Sequence, residues 1–98
     1  MSNTKQVMAQ EFVKFTGRQL AHKTVTLHHR ITAPNEYWLH GSTIAKQYEK
    51  GGPITFDWCG FYTPTTASHM NEILKAAGYQ KRVSYAQARK AGDTSFTV

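Results

Sequence analysis

The stretch CGFYTPTTASHMN, Cys59 to Asn71, decides the architecture, because the chain changes from strand to helix within it. Upstream, ITFDWCGF alternates with the period of a strand: Ile54, Phe56 and Trp58 share one face, and Thr55, Asp57 and Cys59 the other. Downstream, Met70, Ile73, Leu74 and Ala77 recur at helical spacing, and Gly78 stands where a left-handed C-cap belongs. Pro64 suits the first helical position, since the N–H it lacks would have no intrahelical partner there. Thr63 is then the N-cap; alternatively Thr65 caps, with Thr66 and Ser68 adding hydroxyls. A helix from about Thr65 to Ala77 follows. The same hydroxyls admit two readings. They satisfy the orphan N–H groups of the first turn, or they present that turn to an anion such as phosphate.

Working outward, NTKQVMAQEFVKF places Val7, Met8, Phe12 and Phe15 on one helical stripe, with Asn3 or Thr4 as cap and Gly17 as a stop. KTVTLHHRIT alternates as a strand, with Val25, Leu27, His29 and Ile31 on one face. APNE reads as a turn, and YWLHGSTIAKQYEK as a second strand, interrupted or bulged at Gly41. KGGP signals a hairpin into ITFDWCGF. RVSYAQARKAGDTSFTV reads as a strand, a turn around Ala91 to Asp93 and a short terminal strand. The expected fold class is α+β: two helices packed on one face of a small antiparallel sheet of three to five strands, in the order α-β-β-β-α-β(-β). The opposite sheet face is left wet or free for binding.

A chain of 98 residues is the size of one domain, and a hydrophobic share of 40% with five Phe, five Tyr and two Trp supplies a modest core. No apolar run reaches the length of a membrane span, and the polar start MSNTKQ lacks a signal-peptide core, so a soluble chain is expected. One cysteine excludes an internal disulfide and a thiolate metal cluster, in keeping with a reducing compartment. Twelve Lys and Arg against six Asp and Glu give a net charge of +6 and favour polyanionic partners.

Basic residues concentrate near the C-terminus, where Lys81, Arg82, Arg89 and Lys90 flank Tyr85. Cations beside a stacking ring are what single-stranded nucleic acid requires; a solvated strand with Tyr85 in the core is the other reading. Trp38 and Tyr37 adjoin on a strand, so one of them faces away from the core and is a candidate contact surface. His28 and His29 point to opposite faces and cannot chelate together, and no spacing makes His22, His28 and His40 converge; neither metal nor cofactor is expected. Cys59, Asp57 and His69 supply the pieces of a Cys-His nucleophile, at a strand end where a thiol pKa can fall, but a small packing role for Cys59 suits the pattern better and no enzyme is expected.

Leu39 to Leu74 resembles small uncharacterised phage and plasmid proteins, in which an LHG…IA strand leads through a hairpin to GW-x-T-x-TT-x-x-R-(L/M)-N. Leu39, His40, Gly41, Ile44 and Ala45 match the first part, and Gly60, Thr63, Thr65, Thr66, Met70 and Asn71 the second; the family's trailing aromatic-basic strand resembles KRVSYAQARK. Phe61 stands where the family has Trp, and His69 where it has Arg. The resemblance implies a phage-type origin and a place in the cytoplasm of a bacterial host. The order helix–strand–strand–strand–helix is also that of the double-stranded-RNA-binding domain, but TTASHMNEI lacks the lysine cluster which that family carries at its second helix.

Two functions are expected from this reading. The first is a non-catalytic accessory protein binding DNA or RNA: Lys81, Arg82, Arg89 and Lys90 meet phosphates, Tyr85 stacks, and Thr65, Thr66 and His69 present a helix N-terminus. The second is an interaction protein that inhibits or redirects a host protein, anchored by Tyr37 and Trp38. No membrane is involved in either, and the chain is a monomer or a homodimer.

Overall fold

The computed structural model describes residues 4–15, 19–30 and 33–98, with the side chains of 29, 30 and 33 left aside. The order is α1 (Thr4–Lys14), β1 (Leu20–His22), β2 (Val25–Arg30), β3 (Ala33–Leu39), β4 (Ser42–Gln47), β5 (Ile54–Asp57), α2 (Pro64–Ala76), α3 (Tyr85–Ala91) and β6 (Ser95–Thr97). The α+β class holds. Among the described residues the sheet has six antiparallel strands in sequential order, more than expected, and there are three helices. Five strands lie between α1 and α2, which departs from the three of the double-stranded-RNA-binding domain.

The strands beyond expectation are β1, which pairs antiparallel with β2, and β4, which a turn splits from β3. His40 and Gly41 both take positive φ, 52° and 81°, so the stretch expected to be one interrupted strand turns back on itself as a two-residue hairpin between β3 and β4. Such a turn matches the right-handed twist of the strands it joins. The bulge lies nearby instead. Tyr37 pairs with Ala45 and Trp38 with Thr43, so Ile44 is the extra residue, and both Ile44 and Ala45 are buried. APNE opens β3 rather than forming a turn: His28 pairs with Glu36 and Arg30 with Ala33, so Pro34 falls at a register shift, where a missing N–H is tolerated.

The largest departure is at the C-terminus. RVSYAQARK, expected as a strand, contains α3. Ser84 caps it by accepting from the Gln87 N–H at 3.4 Å, and Gly92 follows it in the left-handed conformation (φ 74°). The signal was present: S-x-x-Q is capping-box spacing, and Ala86 to Ala91 are good helix formers.

The strands turn Leu27, Tyr37, Ala45 and Phe56 toward one layer, cross-paired along the sheet, and α1 and α2 cover it. On α1 the buried residues are Met8, Ala9 and Phe12, whereas Val7, expected in the stripe, is exposed. The expected cap Asn3, the stop Gly17 and Ile31, expected on the KTVTLHHRIT strand, lie outside the described residues. Two polar contacts lock the layers together. Buried Asn35 donates to the Phe12 carbonyl at 2.7 Å, satisfying an acceptor in the last turn of α1. Lys5 donates to Ser68 at 2.6 Å, tying α1 to α2.

Candidate nucleic-acid interface

α2 begins as its sequence dictates. Thr63 is the N-cap, extended at φ −126°, and its hydroxyl oxygen accepts from the Thr66 N–H at 3.2 Å, with Pro64 first in the helix. The Thr63 hydroxyl also lies 3.2 Å from the Thr66 Oγ1, and Thr66 is buried. Of the hydroxyls expected to greet an anion, two are therefore engaged with each other; Thr65 stays exposed. At the other end Tyr79 N–H donates to Leu74 O at 2.9 Å and Gly78 N–H to Lys75 O at 3.1 Å, closing a Schellman motif with Gly78 at φ 88°.

His69 departs furthest from its expected role. It is buried one turn into α2, and its Nδ1 lies 2.6 Å from the Tyr37 hydroxyl, with the rings 5.8 Å apart. Burial, then the charges of Lys5 and His40, lowers its pKa to about 4, while burial raises that of Tyr37. Both groups are thus neutral at pH 7, and a single hydrogen bond joins the phenol to Nδ1. A buried neutral imidazole offers nothing to a phosphate. Tyr37, the expected protein anchor, is fully buried, and Trp38 is half-buried against His28, with its Nε1 donating to Glu36 at 3.2 Å.

Cys59 and His69 are not brought together. The thiol reaches the Thr43 carbonyl at 3.1 Å, and the Cys59 N–H donates to Asp57 Oδ1 at 2.8 Å. Burial and the Asp57 carboxylate push the thiol pKa up, opposite to the fall that a strand end before a helix can produce.

Of the basic segment, Lys81 and Arg82 are brought together, on a link held by Asn71. That side chain grips the Val83 backbone from both sides: Nδ2 donates to Val83 O at 3.1 Å, and Oδ1 accepts from Val83 N–H at 2.7 Å. The clamp fixes the link from α2 to α3, and on it Lys81 and Arg82 form a ridge between two hollows. One hollow, of about 280 Å³, is lined by Trp58, Lys81, Arg82, Ser84, Gln87 and Phe96, with Asp93 as its acidic member. The other, of about 220 Å³, includes Lys75 and Tyr79. Lys81 Nζ stands 5.4 Å over the Phe96 ring, which stacks on Phe56 at 4.9 Å. Arg82, Arg89 and Lys90 are exposed, and Tyr79 and Tyr85 show 40% and 38% of their surface. Tyr79, Lys75 and the hollow beside Trp58 did not figure in the sequence reading; the lack of any acidic residue from Lys75 to Gly92 was the legible clue.

No protein family, curated protein or solved structure matches the chain. Several residues between Leu39 and Leu74 have identifiable structural work here. His40 and Gly41 make a turn, Ile44 and Ala45 a bulge, Thr63 a cap and Asn71 a clamp. Among the described residues no helix is long and apolar enough to cross a membrane.

Proposed function

We propose that the chain is a non-catalytic, nucleic-acid-binding protein whose contact surface is the segment from Lys75 to Gly92. The observation that carries this reading is charge segregation. Lys75, Lys81, Arg82, Arg89 and Lys90 lie in this segment with no acidic residue among them, beside the half-exposed rings of Tyr79 and Tyr85. Cations track the phosphates and the tyrosines stack on bases, a combination that suits a flexible strand. Thr65 lines a separate hollow with Phe61 and His40 and is not needed for this contact.

The experiment is a fluorescence anisotropy titration of labelled DNA and RNA, single-stranded and duplex, at several salt concentrations. Binding that weakens steeply with salt, and that is lost in a Lys81→Ala/Arg82→Ala/Arg89→Ala variant, is the expected result. Failure to bind any of the four at low salt overturns the proposal.

A further inference from the structure

We infer that the hollow between Lys81 and Phe96 receives one unpaired nucleotide, so that the chain prefers single strands to duplexes; this rests on the nucleic-acid reading above. At about 280 Å³ the hollow lies at the lower edge of the range for small-molecule sites, roughly 300–1,000 Å³, room for one base and not for a base pair. Its floor is aromatic, with Phe96 backed by Phe56 and Trp58 stacked on Tyr62 at 5.6 Å. Its rim is cationic at Lys81 and Arg82, and the amide of Gln87 offers a donor and an acceptor. Asp93 repels phosphate from its own side and directs the backbone toward Lys81 and Arg82.

The second observation is an orphaned donor. Trp58 is 1% exposed, it lines this hollow, and its indole N–H has no acceptor among the described residues. Buried donors are nearly always paired, so an unpaired one on a residue that lines a cavity can take an acceptor that a ligand brings. A base carbonyl or ring nitrogen supplies it. Bases in a duplex are stacked and have their pairing edges engaged, so they cannot enter. The indole N–H is covered in the free chain, and an entering base must part the side chains above it, which couples Trp58 emission to occupancy.

The test uses a Trp38→Phe variant, which leaves Trp58 as the only tryptophan; Trp38 lies on the opposite face of the sheet. Thymidine oligonucleotides of roughly a dozen residues, within the usual site size for such surfaces, are titrated alongside a duplex of the same length. The expected result is quenching of Trp58 by the single strand, which binds about tenfold more tightly than the duplex. Ala91→Phe, which fills the hollow from an exposed position, should abolish that preference while leaving the melting temperature unchanged. Equal affinity for strand and duplex, unchanged Trp58 emission, or an Ala91→Phe variant that keeps the preference overturns the inference while the broader reading stands. Absence of binding to either overturns both.

Discussion

At the scale of single residues, His69 shows how one buried contact makes stability depend on pH. Its pKa is about 4 in the folded chain and about 6.5 when unfolded, because burial and the neighbouring Lys5 and His40 oppose a charge on the ring. A depressed folded value means that the unfolded chain takes up the proton first. Its stabilising contribution is therefore complete above about pH 6.5 and is lost as the pH falls toward 4, by roughly 2–3 kcal/mol. Urea titrations at pH 7.5, 6, 5 and 4 should show that decline, and His69→Gln should flatten its upper part. Tyr37→Phe removes the hydroxyl bonded to Nδ1, and should cost about 1–3 kcal/mol at pH 7 by leaving a buried ring nitrogen unpaired. The same contact explains why His69 was misjudged from sequence. A histidine one turn into a helix reads as surface until a tyrosine from another strand, 32 residues earlier, is found facing it.

Elements depend on their ends. Thr63→Ala removes the oxygen that accepts from the Thr66 N–H, and should destabilise the chain by about 1 kcal/mol, lowering the melting temperature by about 4–8 °C. Thr63→Asp should keep most of that stability, which calorimetry of the two variants resolves. Asn71 acts between elements rather than within one. Asn71→Ala deprives both the Val83 N–H and its carbonyl of partners, so a loss of about 1–3 kcal/mol is expected. Since the clamp also seats the Lys81–Arg82 ridge, nucleic-acid affinity in this variant should fall although no basic residue has changed. Stretches with strong local signals were legible: the α2 cap, its Gly78 stop and the hairpin after β4 are dictated by proline, threonine and glycine chemistry. α3 was not legible as a helix because, over so short a stretch, the strand and helix periods cannot be separated by hydrophobicity alone.

Over the whole molecule, charge and shape act together. Five basic side chains in the Lys75–Gly92 surface can neutralise at most about five phosphates, so the slope of log affinity against log salt for a single strand should lie between about −2 and −3.5. Each alanine replacement among Lys81, Arg82, Arg89 and Lys90 should make it shallower by about 0.7, measured by anisotropy across a salt series. A slope unmoved by these replacements would place the contact elsewhere on the molecule. By itself, the sequence determined the α+β class, the ends of α2, the burial of Ile54, Phe56, Met70, Ile73 and Leu74, and the basic bias of the C-terminal third, because these follow from short-range periodicity, capping chemistry and composition. Tertiary structure alone decided the six-stranded order, the burial of His69 against Tyr37, the grip of Asn71 on Val83 and the hollow over Trp58. Each is a meeting of residues distant in the chain, and its geometry exists only once the sheet and helices have packed.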